Sequence, residues 1–195
     1  FFGMAVMMTY AATSNKSYIF LALLFFVASS FLSYMMFAHV RVRVAIWSNP
    51  WADPMGKAYQ IVQSLFALGY GGLFGTGFLH GTPDMIPVVQ SDFIFSAIGE
   101  EFGLIGVFSV IMAYLLIFFR SAKIAFACVN EKYKLLSFGI AGTMLLQAFI
   151  ILAGDTKLIP LTGITLPFMS YGGTALVTLG VACGMLMSIR HHRIR

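Results

Sequence analysis

From Tyr18 to Val40 the chain runs 23 residues without one Asp, Glu, Lys or Arg. A helix rises about 1.5 Å per residue, so about 20 such residues cross the ~30 Å hydrocarbon core of a bilayer. Comparable uncharged stretches recur at 58–82, 102–119, 135–153 and 166–188, and a shorter apolar run fills 1–12. The pattern predicts an all-α, polytopic transmembrane bundle of about six helices, forming a single transmembrane domain over 1–195. Composition agrees: 59% of residues are hydrophobic and only 10% charged, against about a quarter charged in soluble domains. The first run is too short to span and carries no basic leader. The expectation is a chain that starts partway through a membrane helix of a longer protein.

The net charge of +5 could suggest nucleic acid, but its distribution argues for topology instead. Counting each uncharged run as a crossing, residues 41–57 hold three Lys or Arg, 120–134 hold four and the tail holds three. The alternate loops hold only Lys16 and Lys157. Basic loops stay in the cytoplasm, so 41–57 reads as a cytoplasmic connector, 82–93 as an extracytoplasmic loop and the C-terminus as cytoplasmic. Asp84, Asp92, Glu100, Glu101 and Asp155 then gather near the outer face, which places the chemistry there. Cys128 and Cys183 are far apart and have no metal-ligand spacing.

Three patches could carry chemistry. Asp92 sits where the external loop meets a helix. It reads either as a general base within reach of a hydroxyl or as a helix N-cap favoured by the dipole. Glu100 and Glu101 are adjacent carboxylates beside an apolar span, costly unless paired or hydrated, so at least one should face a wet cavity. The second patch runs from Pro160 to Gly173. Pro167 suits the first turn of a helix, and Ser170, Tyr171, Gly172 and Gly173 offer either backbone amides or tight helix packing. In the third, Gln60 and Gln63 share a helix face, ready to read a polar headgroup or to bridge helices. They lead into Gly69, Gly71, Gly72, Gly75, Gly77 and Gly81, a density that predicts a break or bend near Gly71.

Four motifs in order resemble one family. They are 49–54 (Asn-Pro-Trp-Ala-Asp-Pro) with 56–60 (Gly-Lys-Ala-Tyr-Gln); 71–77 (Gly-Gly-Leu-Phe-Gly-Thr-Gly); 91–95 (Ser-Asp-Phe-Ile-Phe) with 100–103 (Glu-Glu-Phe-Gly); and 160–173. The sequence is similar, over about residues 40–190, to the second half of the shape, elongation, division and sporulation (SEDS) proteins, which include FtsW, RodA and SpoVE. Ser91 and Thr174-Ala175 are mild departures from the family pattern, and Thr162 stands where some division members carry Lys.

The resemblance implies a ten-helix fold and a glycosyltransferase that polymerises lipid II into glycan strands outside the cytoplasmic membrane. It implies a class B penicillin-binding protein as partner, membrane lipids as surroundings, and no nucleic acid. The family's essential carboxylate falls on Asp92. As catalytic base, Asp92 would deprotonate the acceptor sugar, whose oxygen displaces polyprenyl pyrophosphate with inversion. The leaving group needs positive charge, from Lys157 or from a divalent cation, Mg2+ or Mn2+. The competing reading is a flippase for lipid-linked precursors, which the glycine-broken segment also fits. A third is a recruiting scaffold, which has no use for the acidic group.

Overall fold

The computed structural model describes residues 2–192. Among them there is no strand; the chain is a succession of helices. α1 (Phe2–Thr13) is short and apolar, and α2 (Ser17–Met36) is a 20-residue span. Phe37, in extended conformation, separates α2 from α3 (Ala38–Ser48), which carries Arg41, Arg43 and Trp47. α4 (Tyr59–Gly71), the four-residue α5 (Val89–Asp92) and the 33-residue α6 (Ile94–Phe126) follow. α7 (Glu131–Asp155) starts at Asn130, whose side chain accepts the Lys132 amide. α8 (Gly173–His192) closes the chain.

Four helices, α2, α6, α7 and α8, are long and apolar enough to cross a membrane. The all-α membrane class expected from the sequence is what the structure shows. The segment 58–82, however, is not a crossing. α4 has 13 residues, about 20 Å at helical rise, and ends where the glycines begin. It runs alongside the first part of α6 in the same direction. Ser64 meets Ser96 at its start, and Gly71 meets Gly99 at its end. The chain then turns and comes back: the Thr82 amide bonds Glu100, and Gln60 reaches the Pro87 carbonyl. Ile86 and Phe93, on the returning limb, pack with Ala58, Ile61, Val62 and Ala67 of the descending one. This is a re-entrant hairpin.

Its tip explains the glycines. Gly72, Gly75 and Gly77 adopt φ of +53°, +80° and +102°, a region that costs other residues a steric clash. Opposite the tip, α6 is itself broken at Gly103 (φ 62°, ψ −155°). Each break leaves backbone groups without helical partners, and hydrocarbon offers no water to replace them. The two breaks satisfy each other. Thr76 and Gly77 donate their amides to the Glu100 and Glu101 carbonyls at 2.9 and 3.0 Å, and Leu104 donates to Gly72 at 2.9 Å. The break expected near Gly71 is therefore present.

Losing one crossing overturns one part of the charge-based topology. Residues 41–57, expected on the opposite face from 82–93, lie on the same face. Arg43 donates to the carbonyls of Leu161 and Thr162, and the Trp47 indole donates to the Lys157 carbonyl. The counting rule failed because it took an uncharged run for a span, which flips every loop before that run. Lys16 changes sides for the same reason: it follows α1, whose Met4 and Met8 lie on Gly142 and Gly139 of α7, so it sits at the Glu131 end of α7.

The segment 156–172 is not helical, so the last span starts at Gly173 rather than Leu166. Gly172 and Gly173 stand at a helix start, not inside one. The loop is held against the bundle by Gln147 donating to Thr165 at 2.8 Å and by the Tyr114 hydroxyl donating to Pro167. Leu166 is buried against Phe95 and Tyr114. Tyr114→Phe keeps the ring and strands a buried carbonyl, which costs about 1–3 kcal/mol. The variant should unfold at a measurably lower temperature in detergent, with its mutant helix content unchanged at low temperature.

Candidate functional site

The turn before α4 with the first residues of α4, the α5–α6 junction, α3 and the loop after α7 meet around a cleft of about 220 Å³. Its polar lining consists of Arg43, Lys57, Gln60, Asp92 and Lys157, with Trp47 and Gly163 in the wall. Asp92 and Lys157, both anticipated from sequence, are brought together here with Gln60. The other anticipated residues are not.

Asp92 ends α5 and precedes the start of α6 by two residues. The cap position of α6 is Phe93, which has no side-chain cap bond. The N-cap reading of Asp92 is therefore overturned. Its carboxylate accepts from the Ser91 hydroxyl at 2.9 Å and otherwise faces the cleft. Val88, with φ of +59°, provides the sharp turn that sets up α5.

Glu100 is 5% exposed and accepts the Thr82 amide at 2.9 Å. It fastens the returning limb of the hairpin and does not line the cleft. Glu101, half-buried, also lies outside the lining, its carbonyl serving the hairpin tip. Gln63 is half-buried and likewise outside. Ser170 accepts the Leu166 amide, and the Tyr171 amide bonds Gln90 while its ring is 80% exposed. With Gly172 and Gly173 these residues shape the approach to α8 instead of the cleft. Gln63, Glu100, Glu101, Ser170, Tyr171, Gly172 and Gly173, the other substrate-binding candidates, are not among the residues that line the cleft.

Sequence reasoning missed two cations and one acid. Lys157 stood there as the sole cation of consequence on this face, because Arg43 and Lys57 had been assigned to the other one. Lys57 follows a turn in which its amide bonds the Asp53 carboxylate at 3.0 Å. The missed acid is Asp155, the last residue of α7 and 0% exposed. Ser64 bonds Ser96 at 2.6 Å and reaches the Asp155 carbonyl at 3.3 Å. The Ser96 hydroxyl, already engaged by Ser64, stands close to the carboxylate, yet neither Oδ has a hydrogen bond of good geometry. Gly154 next to it lines the cleft, and Asp92 is near enough for the two charges to interact. A carboxylate directly after the 20 uncharged residues 135–154 was the available signal.

Asp92 is the one carboxylate in the lining, and no three His, Cys, Asp or Glu side chains gather into a metal-holding set among the described residues.

Against known proteins, the family model of the cell cycle proteins FtsW, RodA and SpoVE matches residues 1–195. The chain belongs to the FtsW/RodA/SpoVE family. It is 43% identical over 186 residues to the peptidoglycan glycosyltransferase RodA of Mycobacterium tuberculosis, covering 95% of this chain and 40% of that protein. It is 34% identical over 194 residues to the stage V sporulation protein E of Bacillus subtilis, covering 97% and 52%. A chain of a peptidoglycan synthase complex matches with a TM-score of 0.75 at 24% identity, over 95% of this chain and 52% of that one, which establishes the shared fold. The chain thus spans about half the length, or less, of its relatives. The motifs at 49–60, 91–103 and 160–173 contribute Lys57, Gln60, Asp92, Leu161 and Gly163 to the cleft, and 71–77 forms the tip of the hairpin.

Proposed function

We propose that this FtsW/RodA/SpoVE-family chain is part of a peptidoglycan glycosyltransferase that polymerises lipid II at the outer face of the bacterial cytoplasmic membrane, beside a class B penicillin-binding protein. The observation that carries the reading is the cleft: one carboxylate, Asp92, shares it with three cations, Arg43, Lys57 and Lys157, where the span α6 begins and the span α7 ends. A base for a sugar hydroxyl and positive charge for a departing pyrophosphate are the two demands of glycosyl transfer from a polyprenyl pyrophosphate. The relatives named peptidoglycan glycosyltransferase RodA support it. The assay is glycan synthesis from lipid II by the full-length protein with its penicillin-binding partner. Synthesis by the wild type that Asp92→Asn abolishes supports the reading; no synthesis by the wild type overturns it, and near wild-type synthesis by Asp92→Asn removes Asp92 as the base.

The orientation follows from a corrected count. One face holds Lys16, Arg120, Lys123, Lys132, Lys134 and, at the far end of α8, Arg190; the cleft face has Arg41, Arg43, Lys57 and Lys157. Six against four among the described residues favours a cytoplasmic end for α8 and an external cleft. Met55 is 84% exposed beside the cleft. With Cys128 and Cys183 replaced, Met55→Cys and Thr82→Cys should both react with an impermeant maleimide on intact cells. Reaction of Met55→Cys only after permeabilisation would return 41–57 to the cytoplasm and contradict the hairpin.

A further inference from the structure

Arg43 and Asp92 carry opposite charges, both beside Gly163, and they do not close on each other. A Cβ built on Gly163 would lie 3.7 Å from Arg43 Nη2 and 3.8 Å from Asp92 Oδ2, so no more than about 7.5 Å separates those two atoms. Each is held by its own partners. Arg43 Nη1 donates to the carbonyls of Leu161 and Thr162 at 3.2 and 3.0 Å, and Asp92 holds the Ser91 hydroxyl. Two carbonyls occupy one guanidinium nitrogen, leaving Nη2 and its donors free. Gly163 itself sits at φ +70°, where a side chain is strained and would enter the gap. Opposite charges fixed apart over a bare backbone form a site organised before any ligand arrives.

We infer that the gap over Gly163 is the transfer centre, and that Arg43 is the residue that receives the pyrophosphate of the leaving group. The inference rests on the glycosyltransferase reading. The acceptor hydroxyl gives its proton to Asp92 as its oxygen forms a bond to the anomeric carbon of the donor. The bond from that carbon to the pyrophosphate oxygen breaks, and its electron pair goes to the oxygen, where Arg43 meets the new negative charge. Asp92 later releases the proton to water. Arg43 is singled out among the cleft cations because its nitrogen is the one fixed relative to Asp92. Its fork also matches phosphate oxygens as an ammonium cannot.

The test uses the full-length protein with its penicillin-binding partner, lipid II as substrate and polyprenyl pyrophosphate as added product. Arg43→Gln should lower kcat by about 10²-fold or more, the size of loss seen when one fixed donor to a developing charge is removed. It should weaken inhibition by polyprenyl pyrophosphate by about tenfold, and Arg43→Lys should recover part of both. Folded Arg43→Gln with unchanged product inhibition would reduce Arg43 to a tie between α3 and the loop, and would overturn the inference. Should Arg43→Gln not fold, Gly163→Ala decides: its methyl has van der Waals room yet fills the gap, so folded protein should lose turnover, and wild-type turnover would overturn the inference. No glycan synthesis by the wild-type protein with its partner would instead remove the glycosyltransferase reading. An inactive Asp92→Asn beside a fully active Arg43→Gln would remove this inference alone.

Discussion

Asp92→Asn in the full-length protein should leave folding intact and reduce glycan synthesis by about 10²–10⁴-fold, the usual contribution of a general base. That corresponds to about 3–5 kcal/mol of transition-state stabilisation. The effect on stability should be far smaller. Asp92 caps no helix, since the α6 cap position is Phe93. Its one hydrogen bond comes from the Ser91 hydroxyl, and the Asn carbonyl accepts that bond equally well. Surface substitutions of this kind stay within about 0.5 kcal/mol. The measurement compares initial rates at matched folded amounts, with unfolding followed in the same detergent. A variant that unfolds early and loses activity in proportion would make Asp92 a structural residue. A variant at wild-type rate would leave the cleft without a base, since Glu100 and Glu101 are outside its lining.

Gly71→Ala should prevent the hairpin from seating on α6. The added Cβ would fall 1.9 Å from the Gly99 carbonyl oxygen, 2.8 Å from its carbon and 3.0 Å from the Glu100 Cα. All three are backbone, so no rotamer change relieves the contact, and α4 must move away from α6. Overpacking of this kind costs about 1–3 kcal/mol or more. The shift would also stretch the bonds from Thr76 and Gly77 to the Glu100 and Glu101 carbonyls, which have no water to turn to. Gly69→Ala is the control in the same helix. A Cβ there meets nothing within 4 Å, and replacing an interior helix glycine gains about 0.5–1 kcal/mol. Size-exclusion profiles and melting temperatures of the two variants in detergent should diverge in opposite directions from the wild type. Equal behaviour would mean that the close approach of α4 and α6 is not what holds the hairpin.

The sequence alone determined that this chain is helical and membrane-embedded, because runs like 18–40 have no other solvent. It also located a break at the glycines, since Gly72, Gly75 and Gly77 permit backbone that other residues resist. Through the motifs around 91–103 and 160–173 it pointed to the family and to Asp92. It could not tell a re-entrant hairpin from a span. Both are uncharged and apolar, and the difference lies in whether the freed backbone groups find partners. Those partners, the carbonyls exposed by the break at Gly103, are on another helix. One misread crossing then hid Arg43 and Lys57, which lie 49 and 35 residues before Asp92 and reach the cleft only because α4 turns back. Asp155 was visible as an acid but not as a buried one. Its seclusion arises where the end of α7 meets Ser64 of α4 and Ser96 of α6, a meeting of three segments that no local pattern records. Local chemistry chose the helices and their breaks; which charges face one another was decided by how those breaks fit together.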